Sequence, residues 1–243
     1  MKKHHLTKYH FLTLVSAVLL FAVIFPTADT RGSAIILDDN NPIVSMQVEL
    51  PTDATGVVAL RLAQAAVHLQ DAHGNTVFQS EDGRVHGLEL NVSPNSSTHL
   101  VTVGRLSGTA EAAVDIHAQP DMTGISESEL VEGDTLALNQ RRILSVDGTN
   151  QVTIQIPEGT LGAISARYEG ADVGISLHDE DGDAIMEAGG GDIDGLHIVL
   201  SGGEYRMTLA GENIPAVDVS VSVVDDTRDQ LLALPVVNAN EQP

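Results

Sequence analysis

The 243-residue chain has no cysteine and no tryptophan, and only 3% of its residues are aromatic. Without thiols it can form no disulfide, no thiolate metal site and no cysteine nucleophile; a bacterial lipoprotein anchor, which needs a cysteine, is excluded with them. Past residue 25 the aromatic side chains are Phe78, Tyr168 and Tyr205. Carbohydrate binding, which leans on exposed aromatic faces, is therefore disfavoured, and the core must be built from Val, Ile, Leu and Ala, which fill less volume per side chain.

Positive charge is also scarce, and it is segregated. Lys2, Lys3 and Lys8 all precede an apolar run, and all 34 acidic residues follow it. From Asp29 onward nine arginines stand against those 34 acids, a formal charge of −25. Such a body repels nucleic acid and anionic membrane surfaces and attracts cations or basic partners. Its plain reading is a solvated acidic coat that keeps the protein soluble.

The three lysines lead into Phe11 to Phe25 (FLTLVSAVLLFAVIF) and then Pro26, the pattern of an export signal. The 17 residues from Tyr9 to Phe25 would span about 26 Å as a helix, short of the ~30 Å hydrocarbon core. Residues 1–28 are expected to be an N-terminal hydrophobic helix, either a cleaved signal peptide or a signal anchor. As an anchor it would leave the lysines in the cytoplasm and the body in the periplasm or at the cell surface, membrane-tethered; once cleaved, the body would be secreted.

Beyond that segment the chain repeats itself. MQVELPTDATGVVALRL and VTIQIPEGTLGAISARY align at a spacing of 106, VHLQDAHGNTVFQS and ISLHDEDGDAIMEA at 108, and AAVDIHA and PAVDVSV at 103. Period-two alternation runs through both copies. Met46, Val48 and Leu50 alternate with polar residues in the first, Val152, Ile154 and Ile156 in the second, as in strands with one buried face. Turn signals such as His73-Gly74-Asn75 and Asp147-Gly148 recur at short intervals. The expected fold is all-β, with two tandem β-sandwich, jelly-roll-like domains at residues 33–120 and 130–226 and a C-terminal tail at 227–243. Within the tail, Leu231 to Val237 (LLALPVV) is apolar enough to pack on an edge or a neighbour.

The second copy carries Ile156-Pro157-Glu158-Gly159, then Leu177-His178-Asp179-Glu180-Asp181-Gly182-Asp183, then Gly203-Glu204-Tyr205. In this order of features it resembles the bacterial pre-peptidase C-terminal (PPC) domain, a β-sandwich accessory to secreted peptidases and related to collagen-binding modules. The resemblance covers roughly 95 residues. The first copy shares it more loosely, with Thr98-His99-Leu100 where the Gly-x-Tyr step would stand. It implies a β-sandwich and an accessory role, since no peptidase portion is present.

No His-x-x-x-His pair, Gly-x-Ser-x-Gly elbow or phosphate-binding glycine loop occurs, so the chain is read as non-enzymatic. Scattered Ser, His and acidic residues could still converge in space; the lone histidines are expected to be half-exposed strand residues. The one candidate metal site is Asp179, Asp181 and Asp183, whose carboxylates around a glycine turn could offer oxygens to Ca²⁺. A tight hairpin explains the same residues without a cation. The functional expectation is an exported or membrane-tethered binding module for a protein or surface polymer outside the cytoplasm, with no nucleic acid partner. A structural subunit that oligomerises through strand edges is the alternative, and a hydrolase with an unrecognised site a distant third.

Overall fold

The computed structural model describes residues 22–23, 33–49, 56–92, 98–108, 110–118, 128–168, 172–189 and 193–224. The proposed tail and most of the apolar N-terminal segment lie outside them. Of that segment only Ala22–Val23 is described, as a short strand (β1). No helix long and apolar enough to cross a membrane occurs among the described residues.

The described residues form fifteen strands in chain order. In the first half they are β1, β2 (Ser33–Leu37), β3 (Ile43–Glu49), β4 (Gly56–Ala63), β5 (Ala65–Gln70), β6 (Thr76–Ser80), β7 (Val85–Val92), β8 (Thr98–Arg105) and β9 (Ala110–Ala118). In the second they are β10 (Glu129–Leu130), β11 (Thr135–Leu136), β12 (Gln140–Arg167), β13 (Gly174–Asp179), β14 (Ala184–Ala188) and β15 (Ile193–Val223). The chain is thus all-β, a β-sandwich with a main hydrophobic core and a small separate cluster of Ala59, Ala163 and Val199.

β12 and β15 are long enough to bend and serve both layers. The first layer runs β3-β8-β5-β6-β14-β13 and then the middles of β15 and β12, where Met207 opposes Val152. The second runs β2-β9-β4-β7, the start of β15, the end of β12, the end of β15 and the start of β12. The alternation read from the sequence decides which side chains enter the core. Met46, Val48, Val152, Ile154 and Ile156 are all buried, each such side chain contributing roughly 1.5–3 kcal/mol through loss of contact with water. Phe78, Tyr168 and Tyr205 are buried as well. His99 is completely buried at the position opposite Val48, the place that Tyr205 takes opposite Ile154.

The strand pairings of the first half recur in the second. Leu60 opposes Leu88 as Ala166 opposes Leu196, and Leu69 opposes Val101 as Leu177 opposes Met207. At the last strand the register differs from the sequence alignment. Ala59 opposes Asp115 whereas Ser165 opposes Ser220, so the structural spacing there is 105 residues rather than 103. A shift of two keeps every side chain on its face, which is why alternation alone could not detect it.

Both layers pass without a break from one half to the other. β6 pairs antiparallel with β14, and β7 with β15. Each junction is symmetric about one cross-strand pair. In the first layer Gln79 opposes Glu187, with Phe78 against Ala188 and Ser80 against Met186; in the second Glu89 opposes His197, with Leu88 against Ile198 and Leu90 against Leu196. Both central pairs are separated by 108 residues, the spacing at which VHLQDAHGNTVFQS and ISLHDEDGDAIMEA align.

Candidate functional site

The carboxylate-rich turn between β13 and β14 is organised by its first aspartate. The Asp179 amide donates to the Asp183 carbonyl at 3.0 Å, and the Gly182 amide returns to the Asp179 carbonyl at 3.0 Å. Asp179 Oδ1 accepts the Asp183 amide at 2.7 Å. Gly182 has φ +83°, the left-handed region that glycine enters without a Cβ penalty. The turn between β5 and β6 is the same device. Asp71 Oδ1 accepts the amides of His73 and Asn75, each at 2.8 Å, and Gly74 has φ +84°.

The two turns differ in what the second carboxylate oxygen does. Asp71 Oδ2 accepts from its own turn, from Asn75 Nδ2 at 2.7 Å. Asp179 Oδ2 accepts instead from Arg84 Nη2 at 2.8 Å, across 95 residues of chain. Arg84 is held in turn by Asp82, through Nε at 3.0 Å and Nη2 at 2.8 Å. The Arg84 bond holds the Asp179 carboxyl below the usual carboxylate range, burial opposes this, and the Asp183 amide reinforces it. The bonds that Arg84 donates to Asp82 likewise raise its guanidinium above the ordinary value. Asp82, Arg84 and Asp179 thus form a charge-assisted bridge from the first half to the second.

Of the three proposed metal ligands, Asp179 is buried and has both oxygens engaged, whereas Asp181 and Asp183 are exposed. Among the described residues no group of three or more His, Asp or Glu side chains is arranged to hold a metal ion. A cation bound here through Asp179 would have to compete with Arg84.

A second polar cluster lies on the outward side of the second layer. Ser165 Oγ and His197 Nδ1 are 2.7 Å apart, and His197 stands opposite Glu89 in the β7–β15 ladder. Serine, histidine and a carboxylate therefore do meet, although no sequence motif announces them. Their burial argues against acyl transfer: His197 is 2% exposed and Glu89 3%, so a substrate has no approach to the imidazole, which would have to pass the serine proton to its leaving group. His68, His86 and His178 are half-buried, as expected of strand histidines, but His99 and His197 are not.

An open polar groove lies beside β8, lined by Asp38, Asp39, Arg105, Leu106, Ser107 and Gly108. Asp38 Oδ1 accepts the amides of Asn40 and Asn41 at 2.7 and 2.8 Å, and Arg105 donates to the Gly108 carbonyl at 2.9 Å and to Asp39. Its charges are therefore largely satisfied internally.

No family model and no curated protein matches the chain. Among solved structures it is similar to a conserved protein of unknown function from Pseudomonas aeruginosa PAO1, at 13% identity and a TM-score of 0.25, over 79% of this chain and 90% of that one. YhaK from Escherichia coli is similar at 12% identity and TM-score 0.25, over 78% and 82%. A turret protein of Sulfolobus turreted icosahedral virus matches at 12% and 0.25, over 79% and 98%. Likenesses this distant carry no functional argument.

Proposed function

We propose that this protein is an exported or membrane-tethered accessory module, without catalytic chemistry of its own, that binds a protein or surface polymer outside the cytoplasm. In this reading residues 33–120 and 130–226 are two copies of one sandwich domain. The recurring registers support that duplication, and the PPC-like order of motifs in the second copy supports the accessory role.

The observation that carries the binding role is how the few cations are used. Arg84, Arg105, Arg141 and Arg142 each pair with an aspartate, while Glu180, Asp181, Asp183 and Glu187 remain exposed. The surface field is therefore dominated by carboxylates, which steer a basic partner and discriminate against anionic polymers. Immobilised protein should capture a specific partner from envelope extract and release it as salt rises, because screening weakens exposed charge pairs. Capture that is indifferent to salt, or no specific capture at all, would refute this reading.

A further inference from the structure

Apart from the two-residue β10, the second layer consists of eight strand segments among the described residues, each antiparallel to the next. With an even number of alternating segments, the two terminal ones, β2 and the start of β12, run in opposite directions. The first layer ends differently. A short parallel strand lies against each of its terminal segments, β1 against Met46–Gln47 and β11 against Thr153–Ile154. In the second layer β10 covers only Gln140 and Arg141.

The Val131 amide donates to the Arg141 carbonyl at 2.9 Å, so the backbone of Arg141 points outward at this edge. By the strand's period of two, Ile143 is the next residue to do so. Its side chain is 51% exposed. At the other end β2 has β9 as its one partner among the described residues, and Ile36 is 38% exposed. Ser33–Leu37 and residues 143–146 carry no charged side chain, and such edges are templates for strand addition.

We propose that β2 of one copy adds antiparallel to residues 142–146 of the next, so that copies of this chain associate head to tail through the second layer. A copy added in the same orientation continues the alternation without a break. The junction is the same kind of antiparallel ladder that joins β7 to β15 within the chain. With Ile36 set against Ile143, Ser33–Leu37 lie opposite residues 142–146, the stretch that β10 leaves uncovered. The contact is heterologous, so it forms rings or filaments rather than stopping at a two-fold dimer.

Sedimentation of the full chain in mild detergent tests this, at salt high enough to bring the Debye length to about 3 Å. Wild-type protein is expected to grow in mass with concentration. Ile36→Lys and Ile143→Lys each leave the apolar N-terminal segment intact, so neither changes association through that segment. Each variant alone should remain a single chain. An equimolar mixture should form 1:1 dimers, because one intact β2 and one intact receiving edge are left, and such recovery also shows that both variants are folded. Should either lysine variant melt early, Ile36→Thr and Ile143→Thr replace them. A wild-type chain that stays monomeric overturns the proposal, as does an Ile143 variant that associates like wild type.

Discussion

Replacing Asp179 with asparagine isolates the bridge between the halves. Asparagine keeps the shape and can still accept the Asp183 amide through its carbonyl oxygen. It then presents its amide donors to Arg84, which has only donors to offer. The lost contact is a hydrogen bond between charged groups, one of them buried, of a kind that contributes about 1.5–3 kcal/mol. For a chain of this size about 2 kcal/mol lowers the melting temperature by roughly 4–8 °C. The effect must also depend on pH. Asp179 has a folded pKa below its ordinary value, so its contribution is complete above the unfolded carboxylate pKa, about 3.9, and is lost as pH falls through the lower folded value. Calorimetric melts of wild type and Asp179→Asn should therefore differ by a constant gap from pH 7 to about pH 5 and converge in stronger acid. Asp71→Asn, whose partners are all local, is the control for turn chemistry alone. Arg84→Met combined with Asp179→Asn should cost less than the sum of the two singles, since they remove one interaction. A gap at pH 7 no larger than that of Asp71→Asn, or strict additivity with Arg84→Met, would refute the bridge.

Three further outcomes follow from the same structure. A Cβ on Gly202 would lie 2.3 Å from the Pro157 carbonyl oxygen, a backbone atom, so Gly202→Ala should destabilise by about 1–3 kcal/mol in chemical denaturation. Tyr205→Phe removes the hydrogen bond to the Ser201 carbonyl at 2.6 Å and should cost about 1 kcal/mol. Burial pushes the Tyr205 phenol up to about 12, so it should be silent in an ultraviolet titration at pH 10, where unfolding the protein would release its signal and where native stability should begin to fall. Millimolar Ca²⁺ should leave the melting temperature unchanged, because Asp179 is engaged by Arg84; a rise would mean that the cation displaces the guanidinium.

How far the fold could be read depended on the range of the interactions. Met46, Val48, Val152, Ile154 and Ile156 declared their buried face by period two, and Gly74 and Gly182 declared their turns, because both signals are local. Tyr205 and His99, at matching steps of the two halves, are equally buried. The two-residue shift between Asp115 and Ser220 was invisible, since it preserves alternation. The candidate site was half legible. The Asp-x-x-Gly turn stood in the sequence, but nothing near it pointed to Arg84.

The sequence alone determines that this is an acidic β-protein with repeated strands, because strand faces and turns are written in neighbouring residues. Tertiary structure decides how those strands are joined. Ladder register between β6 and β14, and between β7 and β15, sets Gln79 against Glu187 and Glu89 against His197, and brings Arg84 to Asp179. Pairings across roughly a hundred residues arise from the closing of a shared core, and no local pattern encodes them.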